Sequence, residues 1–438
     1  MTAEIGIMNK MAVALAADSA VTVGEEKVYN SVNKLFMLSK YYPIGIMIYG
    51  NATLMGVPWE SIIKIFRKKI GTDKFDTLEE YANQLIHFMD NNNALFTEVE
   101  QDRYFYATIY HYFRAIREDI KAEVNSIIAK EGKIDDVKNR EIISKHIKEQ
   151  YELWEKAEKL PYIIDSHSQE VINKYRDKIK DAINTVFEKL PISDVDSQSL
   201  EKTCGNLFSK NKFRKIGISG VVIAGFGEKE IFPVTIHFAI EGVVLNRIKY
   251  KPFKVTKVGN DLNASIMPFA QRETVDTFIQ GIDPNFFTAI NSYLLALFNQ
   301  YPDFILKEIQ QIDQKEKNEV SEKIKKASNG LLVEFKKEMN RYKAEKHINP
   351  IIDAVAVLPK DELAAMAEAL VNLTSFKRRI SMEQETVGGP IDVAVISKGD
   401  GFVWIKRKHY FKPELNPQFF ANYFYSGEKK KEKDNGTE

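Results

Sequence analysis

The sequence predicts an α+β protein, with β-rich segments toward both ends of the chain and a long helical block between them. Three observations predict it. From Ala3 to Tyr49 short apolar, β-compatible runs are separated by turns, from about residue 77 to 210 helix-period runs replace them, and strand character returns after residue 211.

The first hairpin is read from Ala3–Ile7 and Met11–Ala17, with Asn9 and Lys10 as its turn. A second strand pair, Lys34–Leu38 and Ile44–Tyr49, flanks a turn at Ser39–Pro43, and Gly50 ends it. After Gly56 and Pro58 the run WESIIKIFRKKI sets Trp59, Ile62, Ile63, Ile65 and Phe66 at helical spacing. Thr77 and Glu80 have capping-box spacing, Leu78, Tyr81, Leu85 and Met89 follow on one face, and Asn91, Asn92 and Asn93 break the run. One aromatic-rich helical stretch then passes through Tyr104, Phe105, Tyr112 and Phe113 to Leu160 and Pro161, and another runs from Val171 to Leu190 and Pro191.

Strand signals resume in KIGISGVVIAGFG, EIFPVTIHFAI and VVLNRIKYKPF, and PFAQRETVDTFIQGIDP reads as the entry into a core helix. Lys- and Glu-rich helices dominate from about 284 to 346, their charge runs reading as solvated faces. A helix in DELAAMAEALVNLTSFK precedes the hairpin GGPIDVAVISKGDGFVWIKRK, with its turn at Lys398–Gly401. The expected organisation is a core in two parts, 1–76 and 211–426, interrupted by a helical insertion at 77–210 and followed by a disordered charged tail at 427–438.

Composition narrows the class. Apolar residues make up 44% and charged residues 28% of the 438, as in ordinary folded proteins. Lys plus Arg number 62 against 61 Asp plus Glu, so no global field draws the chain to nucleic acid or an anionic membrane. Cys204 is the single cysteine, which excludes an internal disulfide and fits a reducing compartment. The N-terminus lacks an export-signal pattern and no run reaches membrane-span length, so a cytoplasmic protein is expected. The seven histidines are scattered without metal-ligand spacing, GISG at Gly217–Gly220 falls short of a nucleophile elbow, and GFGEKE lacks the third glycine of a dinucleotide fingerprint. No metal or cofactor is expected.

The chemistry is read from the first residues. Met is routinely trimmed before a small residue, and a terminal Thr2 would carry both a hydroxyl and an α-amine. The free amine has a reference pKa of about 7.7–8.0 and can serve as the base a threonine hydroxyl needs. A nearby cation would favour the neutral amine, and a carboxylate would hold that cation ionised and oriented, roles that Lys34 and Asp18 can fill.

TAEIGIMNKMAVALAADSAVT and NKLFML resemble the β subunits of the proteasome and the related bacterial proteasome-like peptidases, which are N-terminal-nucleophile hydrolases. The resemblance implies a four-layer αββα sandwich with a large helical insertion, one split catalytic domain and no cofactor. It aligns Thr2 with the nucleophile, Asp18 with the acidic residue, Lys34 with the catalytic lysine and Thr22 with a threonine whose backbone pairs with the peptide substrate. Gly50 falls on the glycine whose N–H stabilises the oxyanion, and Ser265 on an accessory serine. Where the family carries an accessory Asp and Ser, this chain has Gln384 and Val387, with Glu385 and Thr386 as shifted substitutes. The function implied is a threonine peptidase or amidohydrolase acting on polypeptide or amide substrates, with ring-like homo-oligomers and, in some members, an ATPase partner. Two other readings stay open at this stage: an inactive protein-binding scaffold, and a small-molecule amidase or acylase on the same fold.

Overall fold

The structure, a computed structural model, describes residues 3–23, 27–90, 92–214, 217–309, 313–381 and 387–425. In chain order, β1 (Ala3–Asn9), β2 (Ala12–Ala17), β3 (Val21–Val23), β4 (Lys27–Tyr29), β5 (Leu35–Met37), β6 (Ile44–Gly50), β7 (Thr53–Leu54) and β8 (Val57–Pro58) lead into α1 (Trp59–Ile70). The helices α2 (Leu78–Met89), α3 (Glu98–Glu131), α4 (Asp136–Glu155), α5 (His167–Phe187) and α6 (Asp194–Ser209) come next. They are followed by β9 (Ser219–Gly225), β10 (Val234–Val244), β11 (Arg247–Tyr250), β12 (Lys254–Lys257) and β13 (Ala264–Ala270). The remainder is α7 (Glu273–Gln280), α8 (Pro284–Glu308), α9 (Gln314–Lys343), α10 (Asn349–Val357), α11 (Lys360–Ile380), β14 (Asp392–Ser397), β15 (Gly401–Lys406) and α12 (Pro417–Tyr425). Helices and antiparallel sheets together make this an α+β protein.

The chain divides into two compact units, residues 1–35, 260–395 and 402–438 in the first and residues 36–259 and 396–401 in the second. The first unit is built on a sheet of order β13-β1-β2-β14-β15. β1 runs antiparallel to both neighbours, with Glu4 opposite Ala17 on β2 and opposite Phe269 on β13. Side chains alternate faces along a strand, so Ala3, Ile5 and Ile7 with Ala12, Ala14 and Ala16 form one face. That face packs on Val355 of α10 and on Leu363, Ala364, Ala367, Leu370 and Val371 of α11. Alanines on both sides allow helix and strand to approach closely, and the run AVALAA is buried on both faces. Glu4, Gly6 and Met8 take the opposite face of β1.

β13 departs from the sequence expectation, which took PFAQRE as the start of a helix; the strand continues through Pro268 to Ala270 and α7 begins at Glu273. Pro268 is tolerated because β13 is the end strand of its sheet, where a missing N–H breaks no ladder bond on the open side.

The second unit holds the sheet β11-β10-β9-β6-β5, with β12 also pairing with β10. Trp59, Ile62, Ile63, Phe66 and Ile70 of α1 and Leu78, Tyr81, Leu85 and Met89 of α2 cover Ile44, Ile46, Ile48, Val221, Ile223, Ile236 and Phe238. Ile65, expected on the buried face of α1, is 48% exposed. It sits six positions after Trp59, off the stripe that positions three, four, seven and eleven define. The capping box expected from Thr77 and Glu80 forms at the start of α2.

The helices α3 to α6 enclose a core of their own around Phe105, Phe113, Ile143, Trp154, Tyr175, Ile179 and Phe187. Phe105 and Tyr175 stack with ring centroids 4.0 Å apart, so these aromatics pack a core, as their spacing suggested. The aromatic-rich helical stretch holds two helices, because Gly132 ends α3 in the left-handed conformation and the Asp135 side chain caps α4. VVLNRIKYKPF likewise folds back on itself, since Leu245 and Asn246 both take positive φ and make the two-residue turn between β10 and β11. Cys204 is buried inside the helical core. Among the described residues no helix is long and apolar enough to cross a membrane. The tail from Gly427 lies outside the described residues.

The β1–β2 turn is organised by Asn9, which ends β1 where the sequence reading had placed the turn itself. Its Oδ1 accepts from the backbone N–H groups of Met11 and Ala12 at 2.9 and 3.3 Å, while Nδ2 donates to the carbonyls of Val355 and Leu358 at 3.0 and 2.9 Å. One buried side chain thus shapes the hairpin and satisfies the C-terminal end of α10. Asn9→Ala is expected to lower unfolding free energy by about 1–3 kcal/mol in chemical denaturation, because buried carbonyls and amides lose their partners. An unchanged midpoint would show that the turn stands without it.

Candidate functional site

The site grows from the open end of the β1–β2 hairpin. Asp18 directly follows β2, and its N–H continues the ladder to Ala3 O at 3.1 Å. Its carboxylate then turns back on the hairpin. Oδ1 accepts from Ala3 N–H at 3.1 Å and from Lys34 Nζ at 2.6 Å, and Oδ2 accepts from Ala20 N–H at 3.3 Å and Gly388 N–H at 3.0 Å. Four donors match the accepting capacity of one carboxylate. Both side chains of the ion pair are buried, 5% exposed at Lys34 and 0% at Asp18.

The Gly388–Pro390 segment is docked independently of the carboxylate. Ser19 N–H donates to Gly388 O at 3.1 Å, and the Ser19 hydroxyl donates to Pro390 O. Gly389 has φ of +76°, and a Cβ there would meet the backbone oxygen of Asn30 at 2.8 Å, so the approach of these two segments requires glycine. Residues 18–20, 30–34 and 388–390 therefore meet around one carboxylate.

A second ion pair lies beside the first. Lys408 reaches Asp392 through Nζ, and its N–H donates to Asp392 Oδ1 at 2.8 Å. Burial pulls the Lys408 ammonium below its ordinary value, the attraction of Asp392 opposing this, with Lys34 and Asp18 close enough to contribute.

Glu4 is the unmatched group. It is fully buried on β1, and among the described residues neither carboxyl oxygen has a hydrogen-bond partner. Burial pushes its carboxyl up to about 8 from an ordinary 4.5, against the attraction of Lys34 and with the help of repulsion from Asp18. The acid is therefore mostly protonated at neutral pH.

Of the residues predicted from sequence, Asp18 and Lys34 are brought into direct contact. Thr2 lies outside the described residues, as do Gln384, Glu385 and Thr386. Val387 is buried in the apolar core under α11. Thr22 is the middle residue of β3, opposite Val28 of β4. Ser265 pairs with Met8, four register positions from the Glu4–Phe269 pair and so roughly 13 Å along the strand; it is not gathered into the Asp18 cluster. Gly50 belongs to the second unit, where it ends β6 opposite Ser219 with φ of +82°, and a Cβ would lie 2.4 Å from Ile218 O. Only glycine fits there.

The sequence reading missed Glu4, Gly388, Asp392 and Lys408. A lone acid inside the apolar strand AEIGIM was a usable signal for Glu4. The other three become neighbours of Asp18 and Lys34 only through folding. Among the described residues no group of three or more His, Cys, Asp or Glu is placed to hold a metal ion.

No family model matches the chain, and no curated protein matches it. Among solved structures it is similar to Anbu, an ancestral β-subunit, from Yersinia bercovieri, at 7% identity and a TM-score of 0.27 over 96% of this chain and 94% of that one. It is also similar to the helical assembly of the Anbu complex from Pseudomonas aeruginosa, at 7% identity and a TM-score of 0.30 over 97% of this chain and 96% of that one. These findings correct the resemblance read from the N-terminal stretch. The similar structures are Anbu proteins, a different branch from the proteasome β subunits and bacterial proteasome-like peptidases, and the similarity is low. What the site does has to follow from its own geometry.

Two stability measurements probe that geometry. Asp18→Ala strips a buried ammonium of its carboxylate and three N–H groups of their acceptor, and is expected to cost about 3–5 kcal/mol in chemical denaturation; a loss near zero would mean the pair is solvated. For Glu4 the folded state keeps a proton that the unfolded chain releases, so stability falls as pH rises from 4.5 to about 8. Glu4→Gln removes that dependence: its melting temperature should match the wild type near pH 4.5 and pull ahead through the window, by about 1.4 kcal/mol per pH unit at most. Parallel curves would refute a buried neutral acid.

Proposed function

We propose that the chain is an amide-bond hydrolase whose nucleophile is Thr2, exposed by removal of Met1. The observation that carries the reading is the hydrogen bond from Ala3 N–H to the same Asp18 oxygen that holds Lys34. Thr2 directly precedes Ala3 in the chain, and the N–H of Ala3 itself touches this buried ion pair.

A buried ammonium beside a terminal amine disfavours a second positive charge and so leaves the amine neutral. The neutral amine takes the Thr2 hydroxyl proton as Oγ bonds to the carbonyl carbon of the substrate. The tetrahedral adduct then collapses, the C–N bond breaks, and the proton passes to the departing amine. An ester on Thr2 remains. Water, deprotonated by the same α-amine, attacks that ester, releases the acid and restores the hydroxyl. Asp18 and Lys34 exchange no proton in this scheme; the carboxylate holds the Lys34 side chain in place, which is the role a hydrogen-bonded, buried pair suits. Peptides and simple acyl amides both satisfy this chemistry.

The test begins with the intact mass of the purified chain, which should lack Met1. A panel of fluorogenic peptides and acyl anilides should then be cleaved by the wild type and at least about 10³-fold more slowly by Thr2→Ala. An epoxyketone, which needs both hydroxyl and amine, should add to Thr2 alone. Retained Met1, or undiminished cleavage by the Thr2→Ala variant, overturns the reading.

A further inference from the structure

The helix α8 breaks with its surroundings. From Pro284 to Pro302 it carries no Asp, Glu, Lys or Arg, in a chain that is 28% charged. Among the described residues it rests on α9 and, at its start, on α7. Lys343 of α9 sits over the Phe287 ring at 4.0 Å, and Lys325 Nζ reaches Asp303 at 3.0 Å. Low numbers on α8 thus meet high numbers on α9, an antiparallel hairpin that leaves the other face of α8 in water.

Along that outer face Phe286, Ile290, Tyr293, Leu297, Gln300 and Phe304 recur at alternate steps of four and three residues, the a/d repeat of a coiled-coil seam. Phe286 is 61%, Tyr293 71%, Leu297 43% and Phe304 69% exposed. A helix that had only α9 to cover would carry polar residues there.

We propose that this seam packs on the same seam of a second copy of the chain, antiparallel about a two-fold axis. Three observations select that occupant. The pattern reads alike in both directions: centred on Leu295, Phe286 meets Phe304 of the second copy, Tyr293 meets Leu297 and Ile290 meets Gln300. Such self-complementarity is what a two-fold contact requires, and the single polar Gln300 penalises shifted alignments. Next, a second copy brings identical charges, and a stretch with none is a surface on which two copies do not repel each other.

The third observation is area. At about 200 Å² for a whole aromatic side chain, the exposed parts of Phe286, Tyr293, Tyr301 and Phe304 amount to about 500 Å². Leu297 and the seam's small residues bring one copy to about 600 Å², so a pair would bury about 1,200 Å², enough for a specific interface. The inference rests on this surface alone and is independent of the chemistry assigned to residue 2.

The test uses the full chain. Sedimentation velocity over a concentration series should show self-association of the wild type. Tyr293→Lys, which sets two ammonium groups near the axis, should raise the dissociation constant at least about tenfold. Its circular dichroism and melting temperature should not change, because the side chain is exposed. Orientation is read by cysteine pairing, Cys204 being buried. Phe286→Cys and Phe304→Cys, mixed and oxidised, should form a cross-linked heterodimer. Neither should cross-link alone, since like residues lie about 27 Å apart along an antiparallel pair.

A wild type that stays monomeric at every attainable concentration overturns the inference, as does self-association left unchanged by Tyr293→Lys. Cross-linking of Phe286→Cys to itself overturns the antiparallel arrangement. Flotation of the wild type with phosphatidylcholine vesicles, lost in Tyr293→Lys, would assign the seam to a lipid surface and overturn it too. If the lysine variant fails to fold, the cysteine mixture still decides.

Discussion

A carboxylate taken out of water has to find its hydrogen bonds inside the protein, and Asp18 finds them in four places. The donors are the first N–H of β1, a lysine ahead of β5, the amide two residues on, and an amide of the segment that leads into β14. Each is a separate stretch of chain. Their convergence therefore fixes more than an ion pair: it seats the open end of the hairpin, the approach to β5 and the Gly388–Pro390 segment at once. A buried pair gains little net stability over a well-packed apolar substitute, whereas breaking one is costly. Its value here lies in geometric specification, with every lone pair assigned and the ammonium held at one point beside the start of β1.

Glu4 shows what such a cluster does to a group it leaves out. The sheet face opposite α10 and α11 could have been completed with an apolar residue, yet position 4 carries an acid with no partner among the described residues. Burial makes the neutral form the stable one, outweighing the attraction of Lys34, while Asp18 works in the same direction as burial. The cost is a fold that loses stability with rising pH.

The scaffold around the cluster is conventional in its physics. Alternating alanines on β2 let α11 approach closely, and Asn9 joins the hairpin turn to the end of α10. In the second unit an apolar stripe on α1 and α2 covers one sheet, and the helices α3 to α6 surround a separate aromatic core. Glycine is irreplaceable where backbones meet, at Gly389 against Asn30 and at Gly50 against Ile218.

Local patterns carried much of this in the sequence. Periodicity placed the first hairpin, α1 and α2; spacing marked the Thr77–Glu80 box; and the chemistry of a terminal threonine singled out Asp18 and Lys34 as a pair. These are short-range signals, dictated by side-chain period and by residue type. The family resemblance drawn from the same stretch was not upheld, since motif spacing is too short a record to specify a lineage. Local reading also failed where a neighbour decided the outcome: Pro268 sits in a strand because β13 is an edge, and Leu245 and Asn246 turn because β11 returns to β10. The same holds at the site. That Asp18 requires Gly388, some 370 residues away in sequence, and that the Glu4 carboxyl has no hydrogen-bond partner among the described residues, are properties of long-range packing; burial and hydrogen-bond accounting exist only once the chain has closed on itself.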